Sequence, residues 1–215
     1  MRWLIFLFFF TACSGYRFSQ QENPLAAYGI HSLSVPMFYN YSNQPEVSAD
    51  FTRETYRLLT GFSGLRLKSG YSKDSDAVLI GIIKSPEKMA QTLTPRNPKP
   101  AQDTVKGPFT TNRRQKFSIP YTTDVSMYLQ VIVIKKPSEE ELTLLRSGIG
   151  DKIDGTSSIV FNELIPLRIQ YTRELLDNKG VQVLATQNQG VQRKNFKGLA
   201  EQAAVSIRDM ILYAF

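Results

Sequence analysis

The sequence predicts an α+β fold: a two-layer sandwich in which a mostly antiparallel sheet is covered by two amphipathic helices. Three observations carry this. Several stretches alternate apolar and polar residues at period two, residues 124–136 most clearly. Two others, residues 43–62 and the end of the chain, carry an apolar stripe at helical spacing. The order strand, helix, several strands, helix suits two packed layers. The chain has 215 residues, 42% hydrophobic and 21% charged, which suits one domain with a real core.

In chain order, residues 1–12 read as an export leader. Arg2 supplies the positive start, residues 3–10 are apolar, and Thr11 and Ala12 are small residues before Cys13. Eight apolar residues span about 12 Å as a helix, against roughly 30 Å of hydrocarbon. The segment is too short for a spanning anchor. Phe10-Thr11-Ala12-Cys13 resembles the bacterial lipobox, with Phe10 where leucine is usual. That resemblance makes Cys13 the lipidation site and the residue that tethers the protein to a membrane. A plain signal peptide, or a start of translation further along, is the alternative. By the same resemblance Ser14, in place of an aspartate, favours the outer membrane. Cys13 is the sole cysteine, so an internal disulfide and a multi-thiolate zinc site are excluded.

Residues 13–29 read as a tether and residues 30–215 as a single α/β domain. Residues 30–36 alternate and form a first strand, with His31 pointing outward. Residues 43–62 form a helix, with Asn43 and Glu46 at capping-box spacing and Pro45 in the first turn. Val47, Phe51, Thr55, Leu58, Leu59 and Phe62 make its apolar face; Asp50, Arg53, Glu54 and Arg57 make the opposite one. Residues 65–70 and 76–85 read as strands. The long strand 124–136 puts Val125, Met127, Leu129, Val131 and Val133 on one face. Residues 138–146 suit a short helix with Glu139, Glu140 and Glu141 in its first turn, where the dipole favours them. Residues 157–175 and 181–186 read as two strands joined by a hairpin-like turn at 177–180. Pro166 should break the first, bulge it, or set it at an edge. A closing helix carries Phe196, Leu199, Ala200, Ala203, Ile207, Met210, Ile211 and Ala214 on one stripe.

The net charge is +7, and +6 once Arg2 leaves with the leader. Most of the excess sits in the proline-rich insertion at about residues 86–120. Over 95–120, Arg96, Lys99, Lys106, Arg113, Arg114 and Lys116 oppose Asp103 alone, a net of +5. Pro86, Pro95, Pro98, Pro100, Pro108 and Pro120 preclude a regular helix or central strand across it. Paired arginines suit phosphate and carboxylate groups; a solvated insertion, or a surface gripping a partner, is the other reading. Arg193, Lys194 and Lys197 form a second basic cluster, placed here at the start of the last helix, where the dipole opposes them.

Cys13 followed by "SGYRF" resembles the start of the LPS-assembly lipoproteins (LptE-like), although Ser14 stands between the cysteine and Gly15. The Val-Pro-x-Phe-x-Asn segment at residues 35–40, the helix after it, a strand near 76–81, a long central strand and a terminal amphipathic helix resemble that family in order. The resemblance implies a lipoprotein at the periplasmic face of the outer membrane. Such a protein plugs a large β-barrel lipopolysaccharide translocon (LptD-like), helps it assemble and binds lipopolysaccharide. It implies basic residues for the head group, a placement that Arg113, Arg114 and Lys116 match loosely.

No Gly-x-Ser-x-Gly, phosphate loop, metal-ligand spacing or dinucleotide fingerprint is present. The expectation is therefore a binding protein and not an enzyme, with no metal, no cofactor and no nucleic-acid partner. Another envelope lipoprotein of similar build, auxiliary to lipid transport, and an exported enzyme remain as rivals.

Overall fold

The computed structural model describes residues 21–86, 93–100, 118–146, 158–173 and 181–213. Its strands are β1 (Gln21–Glu22), β2 (Ser32–Val35), β3 (Tyr39–Tyr41), β4 (Phe62–Ser63), β5 (Arg66–Ser69), β6 (Ala77–Lys84), β7 (Leu93–Pro100), β8 (Ser118–Lys135) and β9 (Ile159–Thr172). Its helices are α1 (Val47–Leu59), α2 (Glu139–Arg146) and α3 (Val181–Tyr213), with a 3-10 turn at Pro24–Tyr28. The large sheet runs β5-β2-β6-β8, with β9 on the far side of β8. β8 is long enough to hold β6 and β7 end to end along one edge and β9 along the other. β2 and β3 likewise follow one another along β6. The pairings among β2, β3, β5 and β6 are parallel, and those of β8 are antiparallel. Most of the paired length is therefore antiparallel, as the alternation predicts, and the sheet stays open.

The odd-numbered face of β8 meets the helices. Val125, Met127, Leu129, Val131 and Val133 are all buried there, in one core with Phe51 and Leu59 of α1 and Leu199, Ala203, Ile207 and Ile211 of α3. β6 is buried along nearly its whole length, because its other face carries a second cluster. Val78, Ile80, Ile82, Ile132 and Ile134 form it, with Tyr39, Tyr71 and Ile159 packed against them. The motif at residues 35–40 is a packing device. Phe38 lies over Gly81 so closely that a Cβ there would stand 2.3 Å from the ring, and the Phe38 N–H donates to Thr52 Oγ1 of α1 at 2.9 Å.

Asp76 anchors the start of the sheet. Its carboxylate accepts from the Ser32 hydroxyl at 2.8 Å and from the backbone N–H groups of His31 and Ser32 at 3.0 and 2.8 Å. The Ser32 hydroxyl, then the His31 N–H, hold its pKa below the ordinary carboxylate value.

Several expectations change. The tether predicted over 13–29 is folded from Gln21 onward. Leu25 and Ile30 are apolar and fully buried, and Asn23 joins them, accepting from the Leu25 N–H and donating to the Ile30 carbonyl. The capping box at Asn43 and Glu46 does not form: α1 begins at Val47, and Glu46 has φ 68 with no side-chain cap. Such a box forms at helix α2, Ser138 and Glu141 exchanging bonds at 3.2 and 2.7 Å. Glu54, placed on the polar face, is buried, with Arg53 and Arg57 lying across it at 3.3 and 2.8 Å. Residues 181–186 are helix and not strand. Val181 and Val183 alternate over too short a window to decide, while glutamine, leucine and alanine around them favour helix. The cluster of Arg193, Lys194 and Lys197 therefore lies well inside α3, exposed, and the dipole argument does not apply to it. Among the described residues Pro166 does sit on an edge strand, opposite Tyr128, and the bulge occurs elsewhere, at Val133 and Ile134. The proline-rich Leu93–Pro100 stretch forms a strand, and among the described residues it pairs on one side only, with β8.

Candidate functional site

The face of the sheet turned away from α1 and α3 carries the even-numbered residues of β8. Asp124, Ser126 and Tyr128 are half-buried there and Gln130 is buried. The register sets them opposite Gln170, Arg168, Pro166 and Leu164 of β9. Tyr128 also stands opposite Lys84 of β6. Directly opposed residues project to the same face, so these side chains line one trough. From Asp124 to Gln130 it runs about 20 Å, at roughly 3.3 Å per residue.

Two clefts occupy it. The smaller, about 250 Å³, is lined by Arg96, Asp124, Ser126, Arg168 and Gln170 among others. Asp124 is paired with Arg96 of β7 and accepts from Gln170 Nε2 of β9 at 2.7 Å. One carboxylate thus ties three strands together and neutralises Arg96. Arg168 is exposed and makes no ion pair among the described residues. The larger cleft, about 490 Å³, is lined by Lys84, Ser85, Tyr128, Gln130, Asn162, Glu163 and Leu164. Gln130 is 6% exposed and Leu164 53% exposed. Gln130 Nε2 donates to Asn162 Oδ1 at 3.0 Å, while Gln130 Oε1 is buried with no partner. One end of the trough therefore offers the Arg168 guanidinium, and the other Lys84, an aromatic ring, an apolar wall and an unmet acceptor.

Cys13, Arg113, Arg114 and Lys116 lie outside the described residues. Of the basic residues in the proline-rich segment, Arg96 is brought to the trough, where Asp124 holds it. Tyr128, Gln130, Asn162 and Arg168 were not singled out from the sequence. A signal for two of these four, Tyr128 and Gln130, exists in β8 itself: its outward positions read Asp, Ser, Tyr, Gln, then Ile, Ile. That switch from polar to apolar marks where the face stops being open. Among the described residues no group of three His, Cys, Asp or Glu side chains is arranged to hold a metal ion. No described helix is long and apolar enough to cross a membrane.

No protein-family model matches the chain, and no curated protein matches its sequence. Among solved structures the chain is similar to a minor lipoprotein from Acinetobacter baumannii, at 10% identity and TM-score 0.37, over 85% of this chain and 90% of that one. It is similar also to rare lipoprotein B from Shewanella oneidensis, at 12% identity and TM-score 0.34, over 84% and 92%. A third is lipoprotein GNA1162 from Neisseria meningitidis, at 8% identity and TM-score 0.35, over 76% and 96%. Likenesses at these scores carry no argument about what the chain does.

Proposed function

We propose that this protein is a lipid-anchored subunit of the outer-membrane machinery that assembles lipopolysaccharide, acting by binding and by supporting a β-barrel partner. The observation that carries the reading is the joint occurrence of the lipobox-like residues 10–13, the adjoining "SGYRF" and the Val35, Pro36, Phe38 and Asn40 motif. The fold is compatible with it. Two helices cover one sheet face, and beside the second apolar cluster the other face keeps an open polar trough with Arg168 at one end and Lys84 at the other. A domain of this kind holds a head group by charge and hydrogen bonding without covalent chemistry. Arg113, Arg114 and Lys116 of the proline-rich segment are proposed to add phosphate contacts.

Affinity purification of the full chain from native membranes in mild detergent tests this. A large outer-membrane β-barrel should co-purify. Recovery of inner-membrane transporter subunits in its place would move the protein to another lipid-transport system. Acylation at Cys13, read by mass spectrometry of the mature N-terminus, checks the anchor separately. Charge reversal of Arg113, Arg114 and Lys116 together should weaken lipopolysaccharide binding at low salt, and unchanged binding would remove those three from the site.

A further inference from the structure

We propose that the cleft at Gln130 is a saccharide-binding subsite whose floor acceptor is the Gln130 side-chain amide. The floor of the cleft carries a hydrogen-bond deficit. Gln130 is 6% exposed, its Nε2 is used by Asn162, and its Oε1 is buried with no partner. Turning the amide over exchanges which atom is left unmet and does not remove the deficit. An unsatisfied buried polar atom costs about 1–3 kcal/mol. Its neighbours on the same sheet face, Ile82 and Ile132, are apolar, so leucine would suit the position. A glutamine held there without a full set of bonds is a group prepared for something that supplies one.

The walls indicate what. The cleft measures about 490 Å³, within the range of small-ligand sites. Tyr128 and the exposed Leu164 give apolar flanks, Gln130 Oε1 gives an acceptor, and Lys84 lines the same cleft. A pyranose ring matches this pattern, with C–H faces for the flanks and hydroxyl donors for the acceptor. A fully ionised phosphate does not, because it has no proton to donate to Gln130 Oε1. Lys84 lines this cleft as Arg168 lines the other, so the acceptor at Gln130 and not the charge is what distinguishes it. The inference deepens the reading above by assigning the sugar to one end of the trough. It holds equally for a hexosamine glycan strand of the envelope, which presents the same chemistry.

Saturation-transfer difference NMR on the full chain in mild detergent tests the subsite. The probes are a trimer of N-acetylglucosamine, a deacylated and dephosphorylated lipopolysaccharide core oligosaccharide, and inorganic phosphate as competitor. Transfer to ring C–H protons of either saccharide, retained at high salt and in phosphate, supports the proposal; the probe that responds identifies the source. Gln130→Leu should weaken binding about tenfold without lowering the thermal midpoint, and Tyr128→Ala should weaken it too. No transfer from either saccharide overturns the proposal and leaves a hydrated cleft. Binding unchanged in both variants, or abolished by salt and phosphate, overturns it as well. Sugar binding without a co-purified barrel would retain the subsite and remove the lipopolysaccharide-assembly role, so the two failures are separable.

Discussion

The two halves of β8 follow the same alternation and end in different surroundings. From Val131 to Ile134 both faces are buried: Val131 and Val133 under the helices, Ile132 and Ile134 in the second cluster. From Asp124 to Tyr128 the helix face is equally dry, yet Asp124, Ser126 and Tyr128 opposite stay half-buried. One strand is thus a doubly covered core at one end and a one-sided platform at the other. The helix layer supplies rigidity to both halves, and only the second has a surface a ligand can reach. A binding trough on such a strand is held by packing it does not itself provide.

The comparison breaks most visibly if the closed half is emptied. Ile132→Ala should cost about 2–5 kcal/mol, as other large-to-small core changes do, while Ser126→Ala on the platform should stay within about 0.5 kcal/mol. Urea denaturation of both variants checks this, and equal costs would mean that the two halves are not differently covered. A smaller loss is expected from Gly81→Ala, beside Val131 in the register. The added methyl meets the Phe38 ring at 2.3 to 2.5 Å, an overpacking that costs about 1–3 kcal/mol. Combining it with Phe38→Leu should cost less than the two singles together, since they share one contact.

This division was only half legible in the sequence. The helix-facing residues of β8 and the stripes of α1 and α3 announce themselves, because burial against one layer imposes a period. The second cluster does not, since alternation says which residues share a face and not whether that face is covered. Capping spacing is ambiguous for a similar reason. Asn43 and Glu46 have the spacing but the chain turns through a positive φ at Glu46, whereas Ser138 and Glu141 have spacing and geometry both. At Glu141 the carboxylate also accepts from Ser158 at 2.8 Å, a long-range tie invisible in the chain order. The backbone N–H of Ser138 is the main cause holding its pKa below the ordinary glutamate value. Of the trough, the basic character of the proline-rich segment was apparent, but Arg96 meets Asp124 through strand register, which sequence spacing does not encode.

Asp76 sharpens the comparison from the covered end, where β2 and β6 begin. Asp76→Asn should destabilise by about 1 kcal/mol through weakened charge-assisted bonds to Ser32 and His31. The pH dependence has a definite sign. The folded-state pKa is depressed, so the contribution is fully present above the unfolded value of about 4 and lost as pH falls through the folded one. The urea midpoints of wild type and variant should therefore differ at neutral pH and converge in acid. A constant gap would show that the bonds do not depend on the carboxylate charge.

The smallest effect expected is also the most discriminating, because it concerns the boundary between the two halves. Gln130 lies between Tyr128 of the platform and Ile132 of the closed half, and Gln130→Leu would extend the closed half by one position. If the amide served stability, its removal should cost more than about 1 kcal/mol, as loss of a satisfied buried hydrogen bond does. With Oε1 unmet, the change removes a buried unsatisfied atom, and the half-buried Asn162 faces a cleft that water can enter. Stability should then be unchanged or higher by up to about 1 kcal/mol, measured as the urea midpoint in the absence of any ligand. A clear drop would make Gln130 part of the covered core, and the platform would end at Tyr128. A gain would place it on the platform, as a position where the fold forgoes stability to keep an unpaired acceptor beside the cleft.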